Sequence, residues 1–467
     1  MPSELTLSLF MGPVAVEPVP RAVMEALTEV NVNVSSSDPS GFELKFATSK
    51  RSQITTRLLP SGYFDPPKRV VIAATLRGQM SVLMDGVITQ QEVVPSDEAT
   101  NSVLSIKGED LTRMMDLVDL SGFPFPAMPA EGRILVMLLK YTPIYKIVPL
   151  ILPSVLIDIE NPLQSIPVQR GTDLVYIKQL ADRVGYAFYL QPGPLPGMSM
   201  AYWGPSLRAA IPFLPQPTPF AIDWDGRSNV ESLQFSFDGF KKTQFVVLIQ
   251  QRNTNFPIPI PVPDVTPLSP PLGAKSPMPL RISPLTGLAK YSPIEAAAIA
   301  LARASDAANV IGGSGSLDVL RYGEILSART VVRVQGAGIT YDGDYYVDSV
   351  SHAIKPGSYK QRFTLLRNAF LPGTGIAGLD ALSYGLSVPQ QLAGFADAAA
   401  TSAATPPLGL DLLASLPLPG PSLGTPPNPS IPSFPGATPG GSLPGPPPPN
   451  GPAGPGTVLP LPGSPSP

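Results

Sequence analysis

The stretch GSLDVLRYGEILSARTVVRVQGAGITYDGDYYVDSVSHAIKPGSYKQRFTLLRN, residues 315–368, decides the fold class of this chain. Tyr341-Asp342-Gly343 is a turn in which Asp and Gly tolerate positive φ, and alternating runs on either side suit a hairpin. Pro356 and Gly357 supply the next turn. Between them, strand periodicity puts Tyr345, Val347, Ser349 and Ser351 on one face and Tyr346, Asp348, Val350 and His352 on the other. The segment is a compact set of antiparallel strands.

Working outward, residues 1–116 repeat this texture. Short strands are expected at 30–34, 42–47, 69–75, 81–91 and 102–106, with a first strand near the N-terminus and one helical turn over 20–27. Asp85-Gly86 marks either a hairpin turn or a bulge in a bent strand. Residues 108–117 switch to helical spacing, with Leu111, Met114 and Met115 expected to cap one end of a barrel. In GTDLVYIKQLADRVGYAFYL, Thr172 caps a helix, Leu174, Ile177, Ala181 and Val184 repeat at helical spacing, Gly185 ends it and a strand follows. That pattern is a small α/β unit.

Strand patterns return in VESLQFSFDG and KTQFVVLIQQ, followed at 256–284 by proline that excludes a regular helix or a central strand. Ser292, Pro293 and Glu295 then form a capping box for an alanine-rich helix, and the GGSGS of Gly312 to Ser316 reads as a helix stop and flexible connector. Beyond residue 371 the chain turns proline-rich: 22 of the 61 prolines fall in 401–467, where Asp411 is the only charge. Such a segment cannot gather enough apolar surface to offset chain entropy and is expected to be extended, as a passive tail or as a strip for a partner.

Composition bounds the chemistry. With 14% charged residues, a net charge of -3 and no basic cluster, nothing points to nucleic acid. The absence of cysteine removes disulfides, thiolate metal sites and cysteine nucleophiles. The N-terminus has Glu4 and no basic residue before its short apolar run, so no secretory signal is expected. The most apolar window, 134–159, contains Lys140, Lys146, Pro143, Pro149 and Pro153, which favours a buried extended segment over a membrane-inserted helix.

No catalytic, cofactor or metal residue is assigned. His352 is the only histidine, and its neighbours place it in a strand facing solvent or a barrel neighbour. Asp342 with Asp344, and Asp223 with Asp225, sit in turn-like contexts. Trp203, Trp224 and Tyr202 suit a buried core or interface better than a sugar platform. Gly312 to Ser316 follows a helix and precedes a strand, the reverse of a phosphate loop.

Six landmarks in order carry a resemblance: DPSGFELKF from Asp38, GEDLTRMMD from Gly108, IPVQRGTDLVYIKQLADRVGYAFYL from Ile166, AYWGP from Ala201, GSLDVLRYG from Gly315 and the run from Tyr341. Together they resemble the central baseplate hub family of contractile phage tails and extracellular contractile injection systems, including late control protein D and the hub portion of valine-glycine repeat spike proteins. The resemblance implies a mainly β chain with an α/β insertion. Its parts are a tube-like β-barrel domain over 1–118, an α/β domain over 119–218 and a second, related barrel over 219–255 and 316–370. A proline-rich and helical insert covers 256–315 and the tail 371–467.

It further implies a non-enzymatic homotrimer whose six barrels form a pseudo-sixfold ring joining a trimeric spike to the hexameric inner tube. The implied partners are the spike, the tube or its initiator, baseplate wedge or LysM-type adaptor proteins, and a cargo effector. Assembly would take place in the cytoplasm, before incorporation into the particle. The alternative is a proline-rich cell-surface or other non-catalytic binding protein. Which residues form each interface is left open.

Overall fold

The computed structural model describes residues 5–372 except 37, 95–101, 155–165, 207–215, 223–226, 251–256, 264–269 and 288–292. The proline-rich tail, Asp223, Trp224, Asp225 and Ser292 of the expected capping box therefore lie outside the described residues, apart from 371 and 372.

The first strands are β1 (Leu5–Gly12), β2 (Glu17–Pro18), β3 (Leu27–Ser35), β4 (Gly41–Thr48), β5 (Arg69–Leu76), β6 (Gln79–Val94) and β7 (Ser102–Asp110), with helix α1 (Arg21–Ala26) before β3. Alternation drives them: Val30 and Val32, Phe42, Leu44 and Phe46, and Leu104 and Ile106 are all buried on one side of the sheet. β6 makes no hairpin at Asp85-Gly86. It runs through as one bent strand with extra residues at Leu83 and Thr89, pairing first with β5 and then with β7.

After β7 a 3-10 turn (Leu111–Asp116) leads to α2 (Ala130–Leu139), α3 (Thr142–Tyr145), β8 (Ile147–Ile151), α4 (Asp173–Val184), β9 (Tyr186–Pro192) and β10 (Ser199–Pro205). Leu111 and Met115 do not close the barrel. They pack with Ile134, Met137, Ile177, Leu180 and Trp203 in the separate core of the α/β unit. The window expected to be extended begins as helix: Pro129 stands at the N-cap of α2 and Pro143 opens α3, so these prolines bracket helices instead of breaking one. Only β8 is extended, and residues 155–159 lie outside the described set. No helix among the described residues is long and apolar enough to cross a membrane. α4 matches the sequence pattern, with Thr172 Oγ1 accepting from Val175 N and Gly185 at φ 69°. A Cβ on Gly185 would also meet that of Ala302 at 2.4 Å, a second reason for glycine there.

The remaining elements are β11 (Phe220–Ala221), β12 (Ser232–Phe237), β13 (Thr243–Gln250), β14 (Pro257–Pro261), β15 (Arg281–Leu285), α5 (Pro293–Ala307), β16 (Ile311–Asp318), α6 (Val319–Tyr322), β17 (Val331–Gln335), β18 (Gly343–Lys355) and β19 (Ser358–Arg367). β13 leaves the large sheet and forms the centre of a three-stranded one, flanked by the proline-bearing edges β14 and β15 and covered by α5. Proline, which cannot donate to a ladder, is thus confined to edges. Gly312 to Ser316 is not a connector but the middle of β16, paired on both sides. A Cβ at Gly315 would lie 2.4 Å from the Ser232 carbonyl oxygen and 2.7 Å from the Phe363 ring, so glycine here admits close strand packing.

Strict alternation along β18 also fails. Asp348 is a bulge, so Tyr345 and Val347 before it share the buried side with Val350, His352 and Ile354 after it. The fold is mainly β, and its frame is a thirteen-stranded sheet in the order β12-β16-β19-β18-β3-β4-β7-β6-β5-β1-β2, with β17 and β11 attached beside β18. The order β3-β4-β7-β6-β5 recurs as β12-β16-β19-β18-β17. The bulges recur as well, Thr89 in β6 and Asp348 in β18. The two repeats are joined by antiparallel pairing of β18 with β3, from Ser349 opposite Ser35 to Ile354 opposite Val30.

Candidate functional site

The candidate catalytic groups do not converge. His352 is buried, with Nδ1 2.8 Å from Tyr359 Oη and 3.2 Å from Gln361 Nε2. Gln361 Nε2 also donates to Leu326 O while its Oε1 accepts from Leu326 N, so Nδ1 of His352 acts as acceptor and the ring proton sits on Nε2. Burial pulls its pKa down to about 4, keeping the ring neutral. This corrects the expectation that it faces solvent or a neighbour.

Trp203 is fully buried against Tyr186, with ring centroids 4.8 Å apart, and Tyr202 stacks on Tyr189 at 4.9 Å, so neither offers a free face. Asp342 accepts from Ala337 N at 2.7 Å within the turn, and Asp344 pairs with Arg333 at 2.8 Å. Among the described residues no three His, Cys, Asp or Glu side chains are grouped to hold a metal ion.

The surface that stands out is the polar face of the large sheet. A groove of about 830 Å³ runs over β3, β4, β18 and β19, and a second of about 550 Å³ continues over β19, β16 and β12; both include Ser316, Ser351 and Arg362. Cross-strand pairs cover it: Ser232 with Ser316 at 2.8 Å, Gln234 with Ser314 at 2.9 Å, Ser349 with Thr364 at 2.6 Å and Ser351 with Asn33 at 2.8 Å. Among the described residues most of its charges are paired as well, Arg362 excepted. The Lys45 ammonium, 3.0 Å from Glu29, holds that carboxyl below its ordinary range and is itself shifted upward. Burial pushes the Glu43 carboxyl up, but bonds from Ser105 and the nearby Lys45 charge outweigh it and the net shift is downward. Lys360 reaches Glu231 at 2.7 Å. The face is thus built of cross-strand hydroxyl, amide and ion-pair contacts.

Three arginines that sequence reasoning missed lock the units. Arg69 grips Asp85 with two bonds of 2.8 and 2.6 Å; its Nη2 also donates to Tyr145 O and Gly197 O, and Ser199 donates to Asp85 at 2.8 Å. This ties β5 and β6 to the α/β unit. Arg329, at φ 64°, donates to Ser35 O and lies 4.0 Å over the Tyr189 ring, touching the first repeat and the α/β unit from the second. Arg367 donates to the carbonyls of Leu272, Asp342 and Leu371, joining the insert, the turn and the last described residues. The one signal available was Asp85, an acid inside an apolar strand, which calls for a buried cation.

No protein-family model and no curated protein sequence matches the chain. Solved structures do share its fold. A tail protein from Neisseria meningitidis MC58 aligns with a TM-score of 0.53 at 14% identity, over 81% of this chain and 99% of that one. A chain of the lidded PdpA-VgrG complex of Francisella aligns with a TM-score of 0.52 at 8% identity, over 79% of this chain and 54% of that one. At such identities the likeness is one of fold.

Proposed function

We propose that this chain is a structural, non-enzymatic component of a phage-type tail or contractile injection particle, and within it the central baseplate hub. The observation that carries this reading is the doubled strand pattern fused into one sheet, on a frame of the kind found in a Neisseria tail protein. A subunit with two equivalent repeats is what a threefold assembly needs in order to present a sixfold surface. In this reading three copies form a pseudo-sixfold ring, with the spike on one side and the inner tube on the other. The parts of that subunit follow the resemblance, 1–118, 119–218, 219–255 with 316–370, and 256–315, except that β16 from Ile311 belongs to the second repeat and β13 to the three-stranded sheet of the insert. Wedge or LysM-type adaptor proteins bind its periphery, and the chain assembles in the cytoplasm before entering the particle.

The polar face suits a passage: most of its groups are satisfied among themselves and gain little by gripping what moves past. The test is the mass in solution of the full chain, with and without a spike protein from the same particle. A mass of three times 49.2 kDa, alone or on adding the spike, is expected. A monomer that ignores the spike refutes the reading.

A further inference from the structure

The two repeats end in two open strand edges, and the joint between the repeats shows what each edge fits. Inside the chain, the half of β18 after its bulge pairs with β3, the first strand of the other repeat. Among the described residues, the equivalent half of β6, after the bulge at Thr89, pairs with β7 on one side only, and β12, the strand equivalent to β3, pairs with β16 on one side only. One chain thus exposes both halves of a joint that it has already made once internally.

Neither edge is guarded by proline or lysine, and the one charge on them is Glu92. The sequences are TQQEVV in β6 and SLQFSF in β12. Elsewhere the chain does protect its edges: β14 and β15 carry Pro257, Pro259, Pro261 and Pro284, β8 carries Pro149, β9 ends on Pro192 and β2 on Pro18. Exposed strand edges without such guards pair with other chains. The apolar residues agree, with Val93 exposed by 52% and Phe237 by 45% at the two open edges.

We infer that the β6 edge of one copy pairs antiparallel with the β12 edge of a second copy, repeating the β18–β3 joint and its register. The register follows from the bulges. Glu92 lies three residues after Thr89 as Ser351 lies three after Asp348. Ser236 is held opposite Gly312 as Asn33 is held opposite Gly41. Ser351 faces Asn33, so Glu92 of one copy faces Ser236 of the next, and Val93 faces Phe235 on the side of the sheet that carries the core. The contact is head-to-tail, so it closes on itself only as a ring. It rests on the hub reading for the number of copies and adds to it the strands, the direction and the register.

The chain contains no cysteine, so cross-linking is clean. Full-length Glu92→Cys and full-length Ser236→Cys are mixed, oxidised and separated without reducing agent. The double variant Asn33→Cys/Ser351→Cys serves as control and closes within one chain. The expected result is a disulfide dimer from the mixture, several-fold above either variant alone, and a ladder to trimer when both cysteines are in one chain. A trimer by light scattering that shows no cross-link while the control closes overturns the edge joint and leaves the hub reading standing. A persistent monomer without cross-link overturns both. Ser236→Asp, which sets a like charge opposite Glu92 of the next copy, is expected to lower the trimer fraction several-fold at a fixed subunit concentration; an unchanged fraction counts against the joint.

Discussion

Asp85 and Asp344 occupy the same place in the two repeats, each four residues before the bulge of its long strand, and their fates differ. Asp85 and its partner Arg69 are 1% and 2% exposed, covered by the carbonyls of Tyr145 and Gly197 and by Ser199 from the α/β unit. Asp344 and Arg333 are 23% and 49% exposed. One strand frame therefore carries a docking lock in the first repeat and an ordinary surface pair in the second. What covers the frame decides what a charge pair is worth.

The largest test removes that lock. Asp85→Ala strands a buried guanidinium and is expected to cost about 4 kcal/mol in urea unfolding, whereas Asp344→Ala costs under about 1 kcal/mol; equal losses would break the comparison. The repeats also exchange volume. Phe42 lies over Gly108 in the first, while at the equivalent pair Gly313 lies under Leu365 in the second. A Cβ on Gly108 would sit 2.3 Å from the Phe42 ring and 2.4 Å from Val87 O, so Gly108→Ala is expected to cost about 3 kcal/mol. At Gly313 the nearest atom is the Leu365 side chain at 3.2 Å, and Gly313→Ala is expected to cost about 1 kcal/mol or less, read from the same unfolding curves.

A pH profile separates the repeats in another way, because the position of the buried His352 is taken by Val93 in the first. With the folded pKa lowered from 6.5 to about 4, the unfolded chain binds the extra proton between these values. The stability tied to a neutral His352 is complete above pH 6.5 and falls by about 3 kcal/mol on acidification to pH 4. Calorimetry of His352→Gln should show that slope flattened; a parallel slope would mean that the histidine is not responsible. The smallest effect is at the joint, where Ser351→Ala removes one bond to Asn33 and should cost about 1 kcal/mol or less in a urea titration.

Much of the frame was legible in the sequence. The strands around Val32, Leu44 and Ile106 follow from two-residue alternation, and α4 from its Thr172 cap and Gly185 stop, because these signals act over a few neighbouring residues. Gly312 to Ser316 misled because glycine signals a break only when nothing large faces it; here Phe363 and Leu365 do. The prolines around α2 and α3 misled because their meaning depends on whether they fall inside or at the start of a helix. The sequence by itself determined that the chain is mainly β with an α/β unit, because strand alternation and helix caps are local signals. Only the tertiary structure decided that Arg69, Arg329 and Arg367 hold the units together, that Asp348 shifts the buried side of β18 and that the repeats share one sheet. Each of these depends on partners distant in sequence, and pattern along a chain carries no record of which distant strand lies alongside.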